Sequence, residues 1–179
     1  MRKDAPGQAP GFSLVEMLFT LAVAAILLGL ALPSFHETLR RQRAASTTHL
    51  LATQLAQARN TAITRRIPVT VCPSLGDGRC RTEPDWSAGW LAYHDPRRRD
   101  QPESPTDILR QEHAPSHRSV RIMASVGRPR VRYQPDGRSG GSNVTLRICS
   151  GGLLQAEVIV NNVGRIRTKR LRNDAPCPA

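Results

Sequence analysis

Residues 11–35 read GFSLVEMLFTLAVAAILLGLALPSF, and this stretch decides the fold. From Met17 to Leu32 it carries no charge. Counted from Phe12, the apolar run is as long as a bilayer-spanning helix requires, about 20 residues. A short polar leader, MRKDAPGQAPG, precedes it, and its Arg2 and Lys3 favour a cytoplasmic start. A secretory signal should be followed by small residues at its cleavage site, whereas Pro33 and bulky Phe35 follow here. Glu16 stands out. A carboxylate this early in an apolar helix is costly in lipid and marks a partner or a function, the plainer alternative being an idle group at headgroup depth.

Outward from this run, Pro33 lacks a backbone donor and is expected to kink or loosen the helix. The helix then resumes, with Leu51, Leu55, Ala58 and Ala62 forming an apolar stripe that faces a sheet. Arg40, Arg41 and Arg43 fall on other faces, solvated or packed on neighbouring subunits. The helix is expected to end near Arg66, because Pro68 follows. Short β-branched or alternating runs come next: IPVTVCPS, GWLAYHDP, ILRQEHA and VRIMAS. The polar, proline-bearing residues 97–107 read as a mobile loop. RVRYQPDGRSGGSNVTLRICS reads as strand, turn, strand, and LQAEVIVNNVGRIRTKR as a closing hairpin that turns at residues 161–164. One long helix followed by short strands predicts an α+β domain, the helix packed on antiparallel sheet. The expected division is a leader at 1–11, a transmembrane and assembly helix at 12–35, and a globular domain at 36–179.

The 179 residues hold 26 Lys+Arg against 14 Asp+Glu, a formal net charge of +12, which raises polyanionic partners: nucleic acid or an anionic membrane surface. Aromatics are only 4% of the chain, which disfavours a binder that stacks single-stranded bases on exposed rings. The cysteines, Cys72, Cys80, Cys149 and Cys177, contain no C-x-x-C pair and so no zinc or thioredoxin spacing. With an export signal, their even count suggests two disulfides. Of three possible pairings, Cys72–Cys80 and Cys149–Cys177 are favoured, the second pinning a basic tail to a strand; free buried thiols are the alternative. His36, His49, His94, His113 and His117 have no metal-ligand spacing, and the pairs His94–Asp95 and His113–His117 read as surface groups. No nucleophile elbow, phosphate loop or paired-carboxylate pattern is present, so neither an enzyme nor a metal or other cofactor is expected. Asn143 begins an N-x-T triplet too short to argue for a glycan.

Residues 164–172, GRIRTKRLR, concentrate the charge: Arg165, Arg167, Lys169, Arg170 and Arg172 are five cations with no acid. If Gly164 closes the last turn with a positive φ, Arg165, Arg167 and Lys169 project from one face of the strand and Ile166 from the other. Arg128, Arg130 and Arg132 form a second alternating set, either an extension of the same track or an exposed strand face. The run Arg97–Arg99 reads as incidental loop charge, the alternative being a flexible phosphate contact.

The stretch GFSLVEMLFTLAVAAILLGLALPSF resembles the processing site and helix of type IV pilins and pseudopilins. That resemblance implies cleavage by prepilin peptidase after Gly11, N-methylation of Phe12, and pairing of Glu16 with the N-terminal ammonium of a neighbouring subunit during assembly. It also implies a pilin-like fold, other pilin subunits as partners, and a single-pass inner-membrane protein with a periplasmic globular domain that later enters a pilus or pseudopilus. More narrowly, YQPDG, VTLRICS and VIVNNVGRIR resemble the GspH/FimT group of minor pilins. In that group a Gly-Arg-x-Arg motif at this place is associated with the FimT-type branch, which binds DNA in natural transformation; here it is Gly164, Arg165, Ile166 and Arg167. The expected function is therefore that of a minor pilin gripping extracellular double-stranded DNA, without sequence preference, through Gly164, Arg165, Arg167, Lys169, Arg170 and Arg172. The alternatives are a GspH-type structural pseudopilin of a type II secretion system, an assembly-priming minor pilin that does not touch DNA, or a grip on anionic lipid.

Overall fold

The computed structural model describes residues 13–113, 117–141, 143–171 and 175–178 and, at Pro33 and Ser34, only the backbone. Gly11, Phe12 and Arg172 lie outside the described residues. The chain divides into two compact units, Met1–Thr38 and Leu39–Ala179.

Helix α1 (Leu14–Arg65) is assigned as helix throughout. It continues through Pro33, as the helical reading of the residues beyond it anticipated: a proline removes one hydrogen bond of the ladder, and the turns on either side carry the helix on. In the first unit the apolar side chains are exposed on every side, from Leu14 (76%) through Phe19 (69%) to Leu30 (73%). A helix apolar all round needs lipid or other helices around it, and this one is long and apolar enough to cross a membrane. Its first turn is capped by Ser13, whose Oγ accepts the Glu16 N–H at 3.2 Å.

In the second unit the anticipated stripe is buried: Leu51, Leu55 and Ala62 are fully enclosed and Ala58 nearly so. Each fully buried leucine contributes about 1.5–3 kcal/mol. The helix ends at Arg65, where Arg66 takes a left-handed φ of 54° and Pro68 prevents continuation. The strands are β1 (Val69–Pro73), β2 (Gly89–His94), β3 (Ile108–His113), β4 (Val120–Ala124), β5 (Val131–Tyr133), β6 (Val144–Ser150), β7 (Leu153–Val160) and β8 (Ile166–Arg170). They form two four-stranded sheets, β3-β2-β1-β5 and β4-β6-β7-β8, with every pairing antiparallel. Val69, Val71 and Val131 of the first sheet and Ile122, Leu146, Ile148, Val158 and Val160 of the second join the helix stripe in one core. The architecture is therefore α+β, a long N-terminal helix packed on antiparallel sheet.

Residues 130–150 form strand, turn and strand as read, and the two strands do not pair with each other. β5 pairs with β1, while β6 pairs with β4 and β7, so the intervening turns carry the chain from one sheet to the other. The PDG turn is present but does not close a hairpin. Gly137 N–H bonds to the Gln134 carbonyl at 2.8 Å, and Gln134 N–H to the Arg138 carbonyl at 2.8 Å. The loop at 97–107 is also more fastened than a mobile loop. Glu103 pairs with Arg97 at 2.8 Å and Arg99 at 3.0 Å, and Ser104 caps a short 3₁₀ turn at Pro105–Asp107. Disulfides join Cys72 to Cys80 and Cys149 to Cys177, the favoured pairing.

Candidate nucleic-acid interface

β7 and β8 form the closing hairpin, in register from Val160↔Ile166 to Ala156↔Arg170. Along β7, Leu154, Ala156, Val158 and Val160 are buried and alternate with partly exposed neighbours. Register then places Ile166, Thr168 and Arg170 on the core side of β8, and Arg167 and Lys169 on the outer face with Ile159 and Glu157. Arg165, Arg167, Lys169 and Arg170 are all exposed. Among the described residues, no carboxylate pairs with any of these four. The acid nearest in register, Glu157, lies opposite Lys169 but faces Arg147 of β6 at 3.9 Å.

The turn fixes where this charge sits. Gly164 has φ +79°, and a Cβ there would collide with the Gly137 carbonyl oxygen. The glycine of the G-R-x-R motif is thus required by the fold, because the hairpin tip must rest against the 134–138 turn. Around that contact, Gly164 N–H bonds to the Asn161 carbonyl at 2.9 Å, Arg165 N–H to Asn161 Oδ1 at 2.8 Å, and Ser139 N–H to the Asn162 carbonyl at 3.0 Å. Arg59 of α1 donates from Nε to the Gly137 carbonyl at 2.9 Å. Arg165 therefore starts from a tip tied to both sheets and the helix. The same junction brings up exposed Arg138, one residue from Ser139 and so beside the tip, a cation that sequence reasoning passed over. Nothing local in QPDGR signals that neighbour; the contact is set by tertiary packing.

At its other end the hairpin is held by the tail. Leu171 N–H bonds to the Gln155 carbonyl at 3.0 Å, Leu154 N–H to the Ala175 carbonyl at 2.9 Å, and Cys177 N–H to the Gly152 carbonyl at 2.9 Å. The Cys149–Cys177 bridge fastens that tail to β6. β8 is an edge strand. Asn161, Arg165, Gln155 and Leu171 bond across the hairpin, so the N–H and C=O groups of Ile166, Thr168 and Arg170 face the open edge.

The second alternating set is placed differently. Only residues 131–133 are strand, and the set does not form an exposed face. Arg132 Nε lies 2.8 Å from Asp95 Oδ2 and 3.0 Å from Thr70 Oγ1. Its Nη2 donates to the Arg99 carbonyl at 3.1 Å. Asp95 is 2% exposed and also accepts from Thr70 Oγ1 at 2.7 Å and Arg99 N–H at 2.6 Å, so its buried charge is fully matched. Arg130 pairs with Asp100. Burial lowers the Arg128 guanidinium from its ordinary value. Burial, and then the neighbouring Asp95, pushes the Tyr93 hydroxyl up to about 12, where it stays a neutral donor to the Arg99 carbonyl at 2.9 Å. Arg130 and Arg132 are therefore turned in toward carboxylates of their own domain, unlike the cations of β8.

The histidine expectation also changes at one position. His94 is half-buried, with Nδ1 and Nε2 both enclosed and unpartnered, and burial lowers its pKa. His117 is exposed as expected, its Nδ1 lying 2.9 Å from Ser119 Oγ and 3.3 Å from Arg43 Nη1. Glu16 is exposed and occupies the third position of a helix whose cap is Ser13. A carboxylate there is favoured by the helix dipole as well as by any ammonium partner. The S-x-x-E spacing was visible in the sequence and is the signal for that local role.

The type II transport protein GspH family matches residues 47–164. No curated protein matches. Among solved structures, the chain is similar to FimU, a type IV minor pilin of Pseudomonas aeruginosa strain PAO1, in two crystal forms. In one, identity is 16% and TM-score 0.55, covering 75% of this chain and 92% of FimU. In the other the values are 15% and 0.53, with coverage of 70% and 91%. It is also similar to EpsH, the minor pseudopilin from the type 2 secretion system of Vibrio cholerae, at 12% identity and TM-score 0.51, covering 72% of this chain and 97% of EpsH. At these identities the likeness speaks to the fold alone, and the pilin-like fold is shared. The match over residues 47–164 is most of the chain, and it shows that this chain belongs to the type II transport protein GspH family.

Proposed function

We propose that this minor pilin binds the phosphate backbone of duplex DNA through its closing hairpin, in DNA uptake during natural transformation. The observation that carries the proposal is the state of Arg165, Arg167, Lys169 and Arg170: exposed, carried on β8 or, for Arg165, on the turn that leads into it, and without a carboxylate partner among the described residues. Guanidinium groups make bidentate bonds to phosphate oxygens. Contacts of this kind set position and carry no sequence information. With Arg172 the cluster offers five cations, and five phosphate contacts give a salt slope of about −4.5 in log K against log[salt]. One copy at physiological salt would bind in the micromolar range or weaker, about 10⁻⁴–10⁻⁶ M. That suffices for a fibre that captures DNA and draws it inward.

Under this proposal prepilin peptidase cleaves after Gly11, Phe12 is N-methylated, and Glu16 pairs with a neighbouring subunit's new N-terminus. The helix holds the protein in the inner membrane with the globular unit in the periplasm until assembly. The test is filter or fluorescence binding of duplex DNA by the full chain in zwitterionic nanodiscs. Binding should be independent of sequence and weakened in R165A/R167A; unchanged binding in that variant removes the assignment.

A second reading is favoured by the open edge of β8 and by the GspH family match. In it the hairpin is a subunit interface of a type II secretion pseudopilus, or of an assembly-priming minor pilin, and its cations meet acidic groups of the next pilin. R165E/R167E would then block assembly while DNA binding by the native protein is absent.

A further inference from the structure

A cleft opens beside the 134–138 turn, lined by Arg98, Arg128, Arg130, Arg132 and Gln134. Four guanidinium groups around one concavity repel each other unless anions sit among them. Among the described residues two carboxylates are seen to serve Arg130 and Arg132: buried Asp95, committed to Arg132, and Asp100, which pairs with Arg130 and lies 3.9 Å from Arg132 Nη2. They differ in one respect that matters. Asp95 is enclosed and fully hydrogen-bonded, whereas Asp100, reaching the cleft through Arg130, has a side chain that is 76% exposed. A carboxylate in that position is a replaceable counter-ion.

The backbone of the neighbouring loop gives a second, independent indication. Of its three successive arginines, Arg97 and Arg99 pair with Glu103 at 2.8 and 3.0 Å. Arg98 between them goes the other way, its Nη2 donating to Gln134 Oε1 at 3.2 Å on the cleft wall. It does so from a left-handed φ of 54°, a conformation that disfavours a residue with a Cβ and that glycine would adopt freely. Strain retained at a residue whose side chain enters a cationic cleft points to that side chain having a use.

We infer that the cleft formed by Arg98, Arg128, Arg130, Arg132 and Gln134 is a site for a compact phosphate-type oxyanion, with the Asp100 carboxylate as the built-in counter-ion that the ligand displaces. A tetrahedral oxyanion offers several acceptor oxygens to a set of guanidinium forks, where Asp100 offers two. Gln134 supplies a neutral donor beside them. The site is separate from the outer face of β8 and does not depend on DNA binding there.

The test is calorimetric titration of inorganic pyrophosphate into the full chain in zwitterionic nanodiscs at low chloride. Saturable one-to-one binding is expected. R98G is the telling variant, because it removes the guanidinium and relieves the φ together: affinity should fall at least tenfold while the melting temperature holds or rises. D100N should tighten binding at least threefold by removing the competing charge, and R165A/R167A should leave it unchanged. Competition by an oligonucleotide bearing a 5′-phosphate, but not by its unphosphorylated copy, assigns the ligand to a nucleic-acid end; competition by neither assigns it to free phosphate. Absence of saturable binding in the native chain and in D100N, or equal affinity in R98G, overturns the inference.

Discussion

Gly164 rests on the Gly137 carbonyl so closely that no side chain fits between them. Through this contact the turn after β7 is seated against the turn after β5 and the Arg59 side chain. The basic strand that follows leaves from a fixed corner. The motif glycine acts on the cations only by placing them.

G164A should therefore destabilise the domain by about 3 kcal/mol, the sum of a left-handed φ and a backbone clash. Urea denaturation checks this. A loss below about 1 kcal/mol would mean that the tip is free to move, and the fixed-display argument would fail with it.

R132A removes the partner of buried Asp95 and leaves that carboxylate with Thr70 and the Arg99 N–H alone. Breaking a buried pair from one side costs about 3–5 kcal/mol, and the partial exposure of Arg132 puts the expected loss near the lower figure. R167A, on the outer face of β8, should change stability by no more than about 0.5 kcal/mol. Equal losses in the two variants would contradict the assignment of one arginine to structure and the other to surface.

His94 gives the protein a pH-dependent stability. Burial and the nearby Arg65 hold its pKa below the ordinary 6.5, with Asp107 opposing them weakly. The unfolded chain therefore binds the proton more readily, and stability falls as pH drops through about 6.5, levelling off below the folded value. The native melting temperature should decline between pH 8 and pH 5, and H94Q should flatten that decline. A parallel decline in H94Q would place the titration elsewhere.

The Cys149–Cys177 bridge closes a separation of 28 residues. In the chain-entropy account such a loop contributes about 3.5 kcal/mol. C177S should lose stability on that order and raise amide exchange in β8. Unaltered exchange there would show that hydrogen bonds alone hold the hairpin.

The parts legible in the sequence were those set by local pattern. The apolar run after residue 11, the Leu51–Leu55–Ala58–Ala62 stripe, the β7–β8 alternation and its turn all follow from periodicity and turn chemistry over short spans. What local pattern does not carry is which strand a strand meets. RVRY and VTLRICS stand close in sequence and belong to different sheets, because β5 completes the edge beside β1. The same limit hid the difference between the two arginine sets. Arg130 and Arg132 alternate as Arg165 and Arg167 do, yet Asp95 and Asp100, more than 25 residues upstream, turn the first pair inward. Arg138 joins the hairpin corner only through Ser139 and Asn162. His94 read as a surface group, but it lies opposite Val69 of β1 and within the electrostatic reach of Arg65 at the helix end, neighbours that local sequence does not announce.

The most direct measurement of the central claim is duplex-DNA affinity against salt for the full chain in zwitterionic nanodiscs, native beside R165E/R167E. The account predicts a native slope of about −4 to −5 on log–log axes, a slope shallower by about 2 in R165A/R167A, and no measurable binding in the charge-reversed variant. A charge-reversed protein that binds DNA with the native affinity and slope would contradict it.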